Sequence, residues 1–78
     1  MLRAEKPNMG KNHKELHNQL EERRRISGLT QSELAGKVNV SRKSINSVEN
    51  GIYIPTTLLA LKIAKALNCT VDDLFQLP

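Results

Sequence analysis

Gln31-Ser32-Glu33-Leu34-Ala35-Gly36-Lys37-Val38-Asn39-Val40-Ser41-Arg42-Lys43-Ser44-Ile45-Asn46-Ser47-Val48-Glu49-Asn50-Gly51 spells two short helices joined by a tight turn. In the first, Leu34, Ala35 and Val38 make one apolar stripe at helical spacing. Ala35 is small enough for a second helix to cross close over it. Asn39 suits the left-handed backbone of a tight turn. Ser41 is placed to cap the second helix by accepting from an orphan backbone N–H. There Ile45 and Val48 point inward, and Gly51 suits the positive φ of a C-terminal cap.

Arg42, Lys43, Ser44, Asn46 and Ser47 are left on the outer face of that second helix. A face made only of hydrogen-bonding and cationic groups matches what a DNA groove offers, and a short helix fits the major groove. The plain alternative is a solvated basic surface, which is ordinary on helices.

Upstream, Gly28-Leu29-Thr30 ends one helix and opens the next. Gly28 serves as a left-handed cap and Leu29 as an anchor, while Thr30 with Glu33 makes a capping box. The second helix then turns its N-terminal N–H groups outward, a natural phosphate seat. Lys14 to Ser27 reads as the first helix, with Leu16 and Leu20 on one face. Arg23-Arg24-Arg25 closes it near the negative end of the helix dipole. His13 and His17 stand four apart, a metal-ligand spacing, but no supporting ligand accompanies them and they are expected to be surface histidines. Residues 1–12 carry Pro7, Gly10 and no apolar period, and are expected to be a disordered basic tail ahead of a single domain at 13–78. Met9 is an alternative natural start.

Downstream, Ile52-Tyr53-Ile54-Pro55 is apolar and non-helical. Ile54 is expected in the core, and Tyr53 is a candidate for a phosphate or a partner contact. Thr56 caps a helix running to about Leu67, with Ala60, Leu61, Ile63, Ala64 and Leu67 as its apolar stripe. Leu58 and Leu59 exceed what one face can bury, so one of them is expected to face a dimer partner. Asn68 ends this helix in a left-handed conformation. Thr70 caps a last turn, and Val71, Leu74 and Phe75 fold it back onto the core.

Seventy-eight residues make one small domain. Tyr53 and Phe75 are the only aromatics, so the core is built from Leu, Ile, Val and Ala. The net charge of +4 is uneven: residues 1–43 hold ten Lys/Arg and five Asp/Glu, residues 44–78 two and three. The basic half holds Arg42 and Lys43 of the outward face, which favours a polyanionic partner. Cys69 is the one cysteine, so no internal disulfide forms; it reads as a small buried hydrophobe. No stretch has the character of a signal peptide or a membrane span, so a cytoplasmic location without membrane association is expected.

Arg24, Gly28-Leu29-Thr30-Gln31, Glu33-Leu34-Ala35, Val40-Ser41-Arg42, Ile45, Glu49-Asn50-Gly51, Pro55, Ala60-Leu61-Lys62-Ile63-Ala64, Ala66-Leu67 and Asp73-Leu74-Phe75 together resemble the Cro/repressor-type, or XRE-like, helix-turn-helix family. The resemblance runs from about Asn18 to Leu77. It implies an all-α bundle of five short helices of the lambda-repressor-like kind, with the helix-turn-helix at helices 2 and 3. It further implies a transcriptional regulator, a repressor, that binds a two-fold related operator in double-stranded DNA as a homodimer. By position, Arg42, Lys43 and Ser47 resemble base-reading residues, with Asn46 a weaker candidate. Gln31, Ser41, Ser44, Asn50 and Tyr53 are the candidates for phosphate contacts. Arg24 and Glu49 resemble a buried ion pair tying the first helix to the third. Two departures stand out: Arg23 and Thr57 occupy positions that are often Leu in the family. A small-molecule effector is expected only if a further domain follows Pro78. The rival reading is an antitoxin-like interaction module that binds DNA mainly with a partner. No nucleophile–base pair, metal cluster or glycine-rich phosphate loop suggests an enzyme, and no cofactor is expected.

Overall fold

Five helices and one two-residue ladder are seen in the computed structural model, which describes residues 16–78. They follow the order β1 (His17–Asn18), α1 (Leu20–Ile26), α2 (Gln31–Val38), α3 (Arg42–Glu49), α4 (Thr57–Ala66), α5 (Val71–Leu74) and β2 (Phe75–Gln76). The expectations for the tail at 1–12, the Met9 start and His13 lie outside the described residues.

Capping explains where most helices start. Thr30 and Thr70 each accept from the N–H three residues on, and Glu33 and Asp73 reach back to the cap N–H, so both ends carry full capping boxes. Ser41 and Thr56 cap α3 and α4 through the same side-chain bond. Helix ends are equally local. Gly28, Asn39, Gly51 and Asn68 are the positive-φ positions among the described residues, at 75°, 61°, 73° and 57°. Each stands just past the end of α1, α2, α3 or α4, where a left-handed residue stops the helix.

The core is one cluster. Leu20, Leu34, Ile45, Val48, Ile63 and Leu74 are fully buried, each contributing about 1.5–3 kcal/mol of transfer free energy. Ala35 and Val38 complete the α2 stripe, and Ala60, Ala64 and Leu67 that of α4. α2 sits between α3 and α4, α1 leans on α3, and α5 closes over α4.

Three expectations are corrected. The first helix starts at Leu20, not near Lys14. Asn18 is the cause: its Oδ1 accepts from the Leu20 N–H at 2.9 Å and its Nδ2 donates to the Val48 carbonyl, a side-chain alternative to helical bonding. The Gln19 N–H goes to the Leu74 carbonyl at 2.7 Å. β1 then pairs antiparallel with β2, His17 opposite Gln76 and Asn18 opposite Phe75. Leu16, just ahead of this ladder, still packs on the core. Secondly, Leu61 is 56% exposed, because it lies about 100° around the helix from Ala60, off the stripe that Ala60, Ile63, Ala64 and Leu67 define. Thirdly, Ile54 is 47% exposed rather than in the core; the loop after Gly51 folds back through Ile52 and Tyr53 N–H bonds to the Ser47 carbonyl and leaves Ile54 at the surface. Of the leucine pair, Leu59 is buried and Leu58 is 63% exposed.

Candidate nucleic-acid interface

α2 and α3 meet through a turn of three residues. The Asn39 and Val40 N–H groups bond to the Gly36 and Ala35 carbonyls, at 3.4 and 3.0 Å. The left-handed Asn39 then reverses the chain, and Ser41 Oγ, 3.1 Å from the Ser44 N–H, starts α3. Ala35, 3% exposed, lets the two helices approach closely.

α3 divides cleanly. Ile45 and Val48 are fully buried and Glu49 nearly so. Arg42 and Lys43 are exposed on its first turn, with Ser44, Asn46 and Ser47 half-buried at the edges. Asn46 is one helical turn from Arg42, on the same side. Lys43, Ser44, Ser47, Ser41 and Tyr53 line one shallow depression, so the structure brings Tyr53 beside the α3 face from the following loop. Ser41 and Ser44 also share a hydroxyl–hydroxyl bond of 3.1 Å. Asn50, half-buried, is the C-cap of α3.

A buried polar chain holds this face in place. Arg24 Nε donates to Glu49 Oε2 at 2.5 Å and Arg24 Nη2 to Glu49 Oε1 at 3.2 Å, while Nη1 reaches the Leu29 carbonyl at 2.8 Å. The bond to Glu49 is the main reason the guanidinium titrates above its ordinary range, against the opposing effect of burial. Gln31 Nε2 donates to Glu49 Oε1 at 2.9 Å and to Asn46 Oδ1 at 3.2 Å. The side-chain amide of Gln31 is thus turned towards α3. What the first turn of α2 offers outward is backbone: the capping box takes the Glu33 N–H and the ladder begins at Leu34, leaving the Gln31 and Ser32 N–H groups outside it.

The Gln31–Asn46 contact was not legible in the sequence, since two amides fifteen residues apart give no spacing signal. Nor was the grouping of Lys37, Lys62 and Lys65 around Asn39 on another face. Among the outer arginines, Arg23 pairs loosely with Asp73 at 3.6 Å and Arg25 with Glu21 at 2.8 Å, all partly exposed. Cys69 is half-buried, and burial pushes its thiol up. Among the described residues, no group of three or more His, Cys, Asp or Glu could hold a metal ion. No described helix is long and apolar enough to cross a membrane.

Two crossed helices, a left-handed turn and a cationic outer face define a DNA-binding module. Residues 20–74 match the helix-turn-helix family model, and the chain belongs to that family of DNA-binding transcriptional regulators, which are not enzymes. It is 39% identical over 62 residues to the HTH-type transcriptional regulator YgzD of Bacillus subtilis, covering 80% of this chain and 94% of that one. An HTH-type transcriptional regulator of Methanocaldococcus jannaschii is 42% identical over 60 residues, covering 77% and 91%. Among solved structures, the clp gene regulator ClgR of Corynebacterium glutamicum superposes with a TM-score of 0.67 at 30% identity, covering 69% of this chain and 57% of that one. A chain of the SinR protein/SinI protein complex gives 0.66 at 25% identity, covering 70% and 54%. The chain therefore spans little more than half the length of those two structural relatives.

Proposed function

We propose that the protein is a cytoplasmic repressor that reads a two-fold related operator as a homodimer, with α3 in the major groove. One observation carries this reading: Arg42 and Lys43 are exposed on the first turn of a helix whose opposite side is locked by Ile45, Val48 and Glu49. Arg42 and Lys43 reach base acceptors, with guanine O6 and N7 their preferred partners, and Ser47 and Asn46 refine the choice. Ser41, Ser44, Asn50 and Tyr53 take phosphates together with the Gln31 backbone N–H, fixing register without reading sequence.

Dimerisation is supported by an apolar surface. Leu58 and Leu61 stand three apart on the outer side of α4, 63% and 56% exposed, and Leu61 lines a shallow groove together with the exposed Ile54. Covering such a face with a second copy would set two α3 helices about 34 Å apart, one turn of DNA. The same face favours the second reading, in which a different protein seats there and DNA is bound mainly by the pair. A mobility shift with the purified chain alone separates the two.

The decisive experiment is selection of bound duplexes from a random pool, followed by titration of variants. Arg42→Ala should lose about 1–3 kcal/mol on the selected site and relax one base pair. An equal loss on selected and random DNA would move Arg42 to the phosphate backbone.

A further inference from the structure

We propose that the seam between α2 and α4 is a second, sequence-independent phosphate-binding face, through which a copy held on one duplex by α3 takes hold of another. Lys37, Lys62 and Lys65 make this face. The proposal goes beyond operator reading and needs only that α3 faces DNA.

The three lysines line one open depression with Val38, Asn39 and Ala66, and all three are exposed. Among the described residues, none of them has an ion-pair partner. The one acid of α2, Glu33, lies a turn before Lys37, and its carboxylate accepts from the Thr30 N–H at 2.8 Å in the capping box. α4 carries no acid. Lys37 and Lys65 stand in the last turns of α2 and α4, where a cation suits the negative end of the helix dipole. Lys62 has no such reason. It lies three residues before Lys65 on the same side of α4, and like charges placed as neighbours on a helix weaken it. A bound anion reverses that cost.

The seam is turned away from the groove-facing side of α3. α2 lies between α3 and α4. The Gln31 side chain points at α3, and Lys37, six residues on, projects about 120° away around α2. A duplex in contact with Arg42 and Lys43 therefore leaves the lysines open.

The chemistry of the depression favours DNA over an acidic protein. Protein interfaces are anchored by aromatic and Arg side chains and are poor in Lys. Here there is neither aromatic nor Arg, and the apolar lining is the buried Val38 and the half-buried Ala66. A lysine is a compact charge on a flexible stem without a fixed fork of donors. Three of them neutralise phosphates and read no bases.

The test uses the full chain and two duplexes. One carries a site selected from a random pool and is tethered to a bead; the other is of random sequence, labelled and free. Wild-type protein should carry the labelled duplex to the bead. Lys37→Gln/Lys62→Gln/Lys65→Gln should reduce that capture at least about tenfold and lower its slope of log affinity against log salt by about 3. The same variant should bind a short duplex holding the selected site alone within about twofold of wild type. Lys62→Gln alone, which touches neither helix end, should weaken capture about threefold and carries the test if the triple variant fails to fold. Wild-type protein that captures no second duplex, or a folded triple variant that captures as well as wild type, overturns the proposal. So does an equal loss on the short duplex, which would set the lysines against the DNA that α3 already holds. Polyglutamate that displaces the labelled duplex as well as random DNA of equal charge would give the seam to an acidic protein instead. Should the chain select no site, operator reading fails by itself, and a random duplex on the bead tests the seam in its place.

Discussion

Arg24 and Glu49 stand 25 positions apart and share one buried contact between α1 and α3. Their net worth is small, because desolvation opposes attraction; what is large is the cost of losing one partner. Arg24→Met, or Glu49→Leu alone, should destabilise the protein by about 3–5 kcal/mol, a large part of the ~5–15 kcal/mol a domain of this kind has. The double variant should recover most of the loss. Urea unfolding of the four proteins checks this, and strictly additive losses would deny the coupling. At this scale the sequence was readable only through family likeness. Nothing in the spacing of Arg24 and Glu49 pairs them; the match to a known pattern did. Gln31 and Asn46 show the converse. Position in the family pattern suggested a phosphate contact for Gln31, but its amide orientation depends on a carboxylate brought over by α3, a tertiary fact.

Helix boundaries were the most legible features, because the residues that make them lie within four positions of each other. Thr30, Ser41, Thr56 and Thr70 all cap as their spacing predicts, and Asn39 and Asn68 both turn left-handed. α1 escaped the same logic because Asn18 finds its partner on Val48, thirty residues away. Leu61 and Ile54 were misplaced because apolar character does not say which side of a helix or loop is covered. The capping boxes carry a pH dependence. Bonds from the Thr30 N–H and hydroxyl hold Glu33 below its ordinary 4.5, and those from Thr70 hold Asp73 below 3.8. Lowered folded values mean the stabilisation is complete above the ordinary ones and fades as pH falls through the folded ones. Melting temperature should therefore drop more steeply between about pH 5 and about pH 3 in the wild type than in Glu33→Gln/Asp73→Asn, whose amides still accept the cap bond. Parallel curves would remove these carboxylates from the acid response. Thr30→Ala should cost about 1 kcal/mol at neutral pH, read from the same melts.

For the molecule as a whole, the apolar face on α4 and the cationic face on α3 make separable predictions. Leu61→Glu leaves the core untouched, since Leu61 is already more than half exposed. It should shift sedimentation towards monomer and weaken binding to a two-fold site at least about tenfold, while a single half-site is bound as before. Unchanged sedimentation would move the dimer contact elsewhere. The charge asymmetry is a second whole-molecule property, and affinity should fall steeply with salt, as counterion release requires.

The small ladder has a mechanical consequence. His17 faces Gln76 and Asn18 faces Phe75, with the Gln19–Leu74 bond next in line, so residues 17–19 and 74–76 lie side by side. Tension applied across these two stretches would peel the contacts open one after another, like a zip, rather than shear them together. Asn18 is also bonded to the last turn of α3. A tug on these two stretches would thus reach α3 through the Asn18 side chain.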